Sequence, residues 1–283
     1  MNFPWDKYDE IPAERKNTLQ IFITDRCNLK CGGCFARNIM GSDAEISIQE
    51  YKKAIESLIG KGGKQINILG GEPLLHPDLK NIIKTNKENG LKTTIYTNGH
   101  FLNNFKKQDF EGAKLRVSLY CKSGSVKSFD NLPNTEIPFE VCYMISSKTT
   151  LNEMVESADS FEKRNGKVFF ISSIRELDNP NKEFFEDTKL TMNLLEYKTL
   201  VHSFLEKYMG NMEIHISKRG MFESTKAIAG NKCKFANYFI GGKIIQCPYD
   251  VINKKFQKDY SFNERYCRQN SSCLMSKIIV KRK

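Results

Sequence analysis

Cys27, Cys31 and Cys34 stand in the stretch Ile23-Thr-Asp-Arg-Cys-Asn-Leu-Lys-Cys-Gly-Gly-Cys34, directly after an apolar, strand-like run. The C-x3-C-x2-C spacing puts three thiols on one short loop, so whatever fold carries it must hold that loop at the end of a strand. A cubane iron–sulfur cluster has four irons, and three cysteine ligands leave one iron open to hold something else. A structural zinc would recruit a fourth ligand and close its shell. An open iron on a loop implies chemistry.

The surrounding pattern supplies the strands. Apolar runs at 19–24, 65–69, 93–96, 115–119, 139–145 and 168–172 alternate with helical periodicity, which argues for a parallel α/β sheet. The first helix is the best signalled. Ser47-Ile-Gln-Glu50 reads as a capping box with Ile46 stapled on Tyr51. Ile48, Tyr51, Ile55, Leu58 and Ile59 form its apolar stripe, and Gly60 reads as its stop. Met154, Val155, Ala158 and Phe161 repeat the pattern, and residues 175–188 lapse into a polar loop. Leu194, Tyr197, Val201, Phe204, Leu205 and Tyr208 mark a further helix, after which Gly210 suggests a boundary between residues 1–210 and 211–283.

Three further motifs follow the cysteine loop in order: Ile66-Asn-Ile-Leu-Gly-Gly-Glu-Pro73, Lys92-Thr-Thr-Ile-Tyr-Thr-Asn-Gly99 and Leu115-Arg-Val-Ser-Leu119. Together they resemble the radical S-adenosylmethionine (SAM) enzymes over roughly residues 18–175, in particular those with a C-terminal SPASM or Twitch extension. The resemblance implies a partial (βα)6 TIM-like barrel whose mouth, at the strand C-termini, holds cluster and cofactor. It assigns Cys27, Cys31 and Cys34 to a [4Fe-4S] cluster whose open iron is chelated by the SAM amine and carboxylate. Cleavage of SAM would leave a 5′-deoxyadenosyl radical, with the protein orienting the cofactor. Gly70 and Gly71, lacking Cβ atoms, would let backbone approach the methionyl amine, whose protons carbonyls or the Glu72 carboxylate would accept, with Pro73 completing that strand end. Asn98 and Ser118 would contact ribose or carboxylate, and Thr97, closing the same strand as Asn98, is a further cofactor-binding candidate. Arg175 is either a further carboxylate contact or a surface arginine. The family places an aromatic residue before the third cysteine, where this chain has Gly33; Phe35 is its substitute or a plain core phenylalanine.

Cys233, Cys247, Cys267 and Cys273 follow in the C-terminal part, and Gly242-Lys-Ile-Ile-Gln-Cys247 is similar to the hairpin of SPASM and Twitch domains. Four cysteines suffice for one auxiliary [4Fe-4S] cluster, as in Twitch; a structural zinc is the other reading. Cys121, at the end of the fourth predicted strand, is either a hydrogen-atom donor to a substrate radical or an inert thiol, and Cys142 reads as a small core residue.

The formal net charge is +11, yet lysines are scattered, so a nucleic-acid partner is disfavoured against a solvated basic surface. No apolar run approaches the roughly 20 residues of a membrane span. The polar N-terminal residues do not read as a signal peptide. Nine cysteines without export signals read as metal ligands or free thiols, and the expected location is cytoplasmic. The expected activity is hydrogen abstraction from a ribosomally made peptide, giving oxidation, crosslinking or epimerisation. Against it, the roughly eighteen residues before the first strand are too few for a peptide-recognition module. The alternative is oxidation of a small molecule such as an amino sugar or alcohol. The resemblance also implies an electron donor such as flavodoxin or ferredoxin.

Overall fold

Side chains alternate across a strand, so apolar residues two apart share a face. Leu19, Ile21, Ile66, Ile68, Ile95, Leu115 and Val117 use that face to bury themselves against Tyr51, Ile55, Leu58, Leu79, Ile82 and Ile83. Val141, Tyr143, Ile145, Phe169, Ile171, Ile214 and Ile216 do the same against Met154, Ala158, Phe161, Val201, Phe204 and Leu205. Two apolar layers thus coat one side of a continuous sheet. In this computed structural model the described residues are 8–12, 17–29, 31, 34, 36, 42–120, 134–173, 190–217, 234–246, 256–260 and 277–282.

The strands are β1 (Tyr8–Pro12), β2 (Thr18–Phe22), β3 (Gln65–Leu69), β4 (Lys92–Thr97), β5 (Ala113–Tyr120), β6 (Glu140–Ile145), β7 (Val168–Ser173), β8 (Glu213–Ser217), β9 (Phe235–Phe239), β10 (Lys243–Ile245) and β11 (Lys277–Arg282). The helices are α1 (Ile48–Gly60), α2 (Leu79–Glu88), α3 (Leu151–Glu162) and α4 (Leu194–Lys207). Strands β2 to β8 run parallel in sequence order, and β9 lies parallel on the outer side of β2. β10, β11 and β1 add antiparallel edges, so the order is β1-β11-β8-β7-β6-β5-β4-β3-β2-β9-β10. The barrel is partial and does not close. β2 to β7 are the six strands expected from sequence. Residues beyond 210 extend the same sheet at both flanks, through β8 and β11 on one side and β9 and β10 on the other. No helix among the described residues is long and apolar enough to cross a membrane.

α1 begins with half of the expected capping box: Ser47 Oγ accepts from the Glu50 N–H at 3.1 Å, while the Glu50 carboxylate is engaged elsewhere. Its end differs from expectation. Gly62 N–H donates to Ile59 O and Gly63 N–H to Leu58 O, both at 2.9 Å, the double bond of a Schellman motif. Gly62, at φ 71°, is therefore the stop, two residues past Gly60; only there does the chain enter the left-handed region that favours glycine.

Candidate active site

The cysteine loop leaves β2 and turns back over the end of β3. Gly71 N–H donates to Thr24 O at 2.7 Å and Glu72 N–H to Arg26 O at 2.8 Å. A Cβ on Gly70 would lie 2.6 Å from Thr24 O; one on Gly71 would lie 2.1 Å from Arg26 O and 2.9 Å from Cys27 Cβ. Both glycines are thus demanded by the close passage of the cysteine loop itself, a reason the sequence does not reveal. Arg26 adds an ion pair with Glu45 and donates to Leu75 O at 2.9 Å. The Asp25 N–H donates to Ala44 O at 2.8 Å.

Cys27 is exposed, Cys31 and Cys34 are half-buried, and none is in a disulfide. Cys34 N–H donates to Cys31 O at 3.2 Å, and Leu29 N–H to Cys27 Sγ at 3.4 Å. Partial burial raises the Cys27 thiol pKa, the Leu29 contact opposes this, and Glu72 and Cys34 add to the rise. Among the described residues no three His, Cys, Asp or Glu side chains converge as ligands of a single ion. A four-iron cluster sets its thiolates wider apart than a single ion does, and three cysteines on one pinned loop match its donor set. Behind the loop, Phe22 stacks on Phe239 with ring centroids 4.3 Å apart, and Cys34 packs on the cluster of Phe22, Ala36, Phe239 and Ile245.

Glu72 is buried at the end of β3. Its Oε1 accepts from Thr97 Oγ1 at 2.6 Å and Leu74 N–H at 3.0 Å, and its Oε2 from Asn98 N–H at 2.8 Å. Burial pushes its carboxyl up to about 7, against those three hydrogen bonds. Thr97 in turn accepts from Gly99 N–H at 2.9 Å, and Asn98 Nδ2 donates to Asn28 Oδ1 at 2.9 Å. Pro73 opens the buried turn Pro73–Leu75. Gly70, Gly71, Glu72, Pro73, Thr97 and Asn98 therefore form one connected unit with the cysteine loop, in which the Glu72 carboxylate acts as a strut between strand ends.

Leu115, Val117 and Leu119 face the helices, so Arg116, Ser118 and Tyr120 face the barrel interior. Ser118 is the register partner of Cys142. Cys142 is buried on this inner face, not in the helix-facing core; burial pushes its thiol up to about 11, with Arg116 opposing. Tyr120 was not singled out from sequence. Burial raises its phenol pKa, and Cys31, Cys34, Cys142 and Cys27 contribute in that order, placing it beside the cysteine loop. Its two-residue spacing from Ser118 was the available signal. One level deeper, Arg116 donates to Glu140 through Nε at 3.1 Å and through Nη2, and to Tyr96 OH at 3.1 Å. His215 pairs with Glu213 on β8. Phe35, Cys121, Arg175, Cys233, Cys247, Cys267 and Cys273 lie outside the described residues.

Residues 21–132 match the model of the Radical SAM superfamily. Among curated proteins, GTP 3',8-cyclase of Staphylococcus epidermidis is 24% identical over 266 residues, covering 82% of this chain and 78% of that protein. GTP 3',8-cyclase of Nautilia profundicola is 26% identical over 195 residues, covering 65% and 57%. Among solved structures, Streptococcus suis SuiB bound to S-adenosylmethionine aligns with a TM-score of 0.64 at 18% identity, over 86% of this chain and 63% of SuiB. SuiB bound to its precursor peptide SuiA gives 0.63 at 15% identity, over 90% and 64%. The chain thus spans less than two thirds of SuiB, and the likeness is one of fold.

Proposed function

From the premise that this chain is an enzyme with a radical SAM domain at residues 21–132, we propose that it abstracts hydrogen from a peptide substrate. The observation that carries the reading is the clamp on the cysteine loop by Gly71, Glu72 and Asn98 at the C-terminal ends of β2 to β4. In parallel α/β folds, such strand ends are where ligands and chemistry are placed.

Cys27, Cys31 and Cys34 would hold a [4Fe-4S] cluster, which with SAM supplies one-electron cleavage of the sulfonium and so a hydrogen-abstracting radical. With three of the Glu72 acceptor sites taken by protein donors, the methionyl amine is assigned chiefly to backbone carbonyls at Gly70 and Gly71. Asn98 and Ser118, with Arg175, are assigned to ribose and carboxylate. Tyr120 offers a ring beside the cysteine loop in place of the residue replaced by Gly33, and Phe35 is the candidate substitute from sequence. Residues 211–283 would carry an auxiliary [4Fe-4S] cluster on Cys233, Cys247, Cys267 and Cys273, with zinc as the competing occupant. Cys121 would be a hydrogen-atom donor to a substrate radical or an inert thiol. Electrons would come from a flavodoxin or ferredoxin.

The peptide reading is supported by the likeness to SuiB, whose structure holds a precursor peptide. A small-molecule reading is supported by sequence relatives that are GTP 3',8-cyclases, matched over 78% of their length in one case. Reconstituted protein with dithionite should release 5′-deoxyadenosine from SAM, and replacing Cys27, Cys31 and Cys34 together by alanine should abolish it. Release that persists in the triple variant would overturn the assignment. Acceleration of release by a short peptide encoded beside the gene supports the peptide reading; acceleration by GTP alone refutes it.

A further inference from the structure

Glu50 sits at the third position of α1, where a capping-box glutamate would fold back on its own helix. It does not. Its Oε1 accepts from Gly241 N–H at 2.8 Å, Gly242 N–H at 3.1 Å and Tyr238 OH at 3.1 Å. Gly241 and Gly242 lie in the three-residue turn between β9 and β10, with φ of 78° and 74°, and their consecutive N–H groups both point at the one carboxylate oxygen. The carboxylate fills that cradle. The other end of α1 grips the same C-terminal region: Lys61 pairs with Asp259, donates to Tyr260 O and lies 4.5 Å from the Tyr260 ring centroid. Residue Gln257 bridges back to Ile244 on β10.

The consequence falls on the cysteine loop. Phe239 and Ile245 flank the turn that Glu50 holds, and these two residues form the wall against Phe22, Ala36 and Cys34. We propose that Glu50 is a positioning residue for the cysteine loop: by locking the Gly241–Gly242 turn to α1, it holds the hairpin as the rear wall behind Cys34. The backbone cradle accounts for the acidic side chain at this position, and two adjacent glycines account for the turn's ability to present both N–H groups to it.

Glu50→Ala, Glu50→Gln and Tyr238→Phe test this on the full chain. In the apoprotein, amide hydrogen exchange across residues 236–246 should quicken roughly ten-fold or more in Glu50→Ala, which removes the acceptor of all three bonds to the turn. Exchange within α1 beyond its first turn should stay as in wild type, because Ser47 still caps it. Tyr238→Phe, which touches only the hairpin side, should give a smaller rise in the same residues, and Glu50→Gln, which keeps an acceptor oxygen, should restore most of the protection. After reconstitution, the electron paramagnetic resonance signal of the reduced cluster on SAM addition should change in Glu50→Ala and return in Glu50→Gln. That spectral arm rests on Cys27, Cys31 and Cys34 being cluster ligands; the exchange arm does not, so a wild type that takes up no iron counts against that assignment alone. Unchanged exchange at 236–246, or a loss of protection that spreads through α1 instead, overturns the role given to Glu50. So does a quickened hairpin with an unaltered cluster signal, since the wall would then not matter to the loop.

Discussion

Asn98 Nδ2 donates to Asn28 Oδ1 at 2.9 Å, tying the end of β4 to the middle of the cysteine loop. The same residue sends its backbone N–H to Glu72 and takes the His100 N–H on its side-chain oxygen at 2.9 Å. One asparagine thereby joins three chain segments that the sequence separates widely. The Asn28 tie is exposed, so its net worth to global stability is small, about 1 kcal/mol or less. Its effect should appear locally. Asn28→Ala is expected to leave the thermal unfolding of the apoprotein nearly unchanged while shortening the time in which a chelator strips iron from the reconstituted protein. Asn98→Ala should strip faster still, since it also releases His100. Equal stripping times in wild type and both variants would show that the tie does not restrain the loop.

Gly71→Ala is a sharper test of the loop's close passage. A Cβ 2.1 Å from Arg26 O and 2.9 Å from Cys27 Cβ cannot be accommodated without moving the backbone that carries the first cysteine. The variant should keep its circular dichroism yet lose most of the iron bound at the three-cysteine site. Gly60→Ala is the matched control, because its Cβ would meet nothing within 4 Å at the end of a helix. That change should be neutral or stabilising by about 0.5 kcal/mol and leave iron content alone. Full iron loading of Gly71→Ala would mean that the loop has more freedom than its contacts imply.

Glu72 carries a pH dependence whose sign follows from burial. Its carboxyl moves from an ordinary 4.5 up to about 7 in the folded protein, so the folded state holds the proton more tightly than the unfolded chain. The resulting stabilisation is complete below about 4.5 and is lost as pH rises through about 7. Glu72→Gln cannot titrate, and an amide nitrogen facing the Asn98 N–H would set donor against donor, costing about 1–3 kcal/mol. Thermal unfolding of the two apoproteins between pH 4.5 and 8 should show wild type the more stable, by a margin that narrows as pH rises. A margin that widens with pH would mean that the three donors outweigh burial and hold the carboxylate ionised.

Much of this was legible because local patterns and tertiary structure agree. The alternation in β2 to β7 and the apolar stripe of α1 each need a single buried face, and the sheet provides it. Legibility fails where the deciding partner is distant. Glu50 has the sequence of a capping-box residue, but the Gly241–Gly242 turn nearly two hundred residues away captures its carboxylate. Gly70 and Gly71 announce close approach without saying that the approaching group is the loop of Thr24 to Cys27. β9 pairs with β2, the first strand of the parallel set, and no short-range signal in Phe-Ala-Asn-Tyr-Phe specifies that neighbour. Tyr120 and Cys142 needed the strand faces to be known before their inward direction could be read.

The Arg116–Glu140 pair lies on that inward face, one level beneath Ser118, with side-chain exposures of 11% and 14%. Burial alone would push the Glu140 carboxyl up, yet Arg116, aided by Lys114, brings it below the usual range. Its contribution is therefore complete above the ordinary value of 4.5 and is lost as pH falls through the lower folded one. Arg116→Met removes the partner and strands a nearly buried carboxylate, at a cost of about 3 kcal/mol near neutral pH. Lys114, 3.5 Å from Glu140 but largely exposed, can recover only a part of that. Removing both charges in Arg116→Met/Glu140→Met replaces the pair by apolar volume, so the double variant should be more stable than Arg116→Met alone. The coupling should shrink as pH falls through the lowered Glu140 value, where wild type too takes up the proton. Urea unfolding of wild type, the two single variants and the double variant from pH 7 down to about pH 3 measures it. If the two single costs simply add at pH 7, the interior ion pair is not the unit that braces β5 against β6 beneath the site.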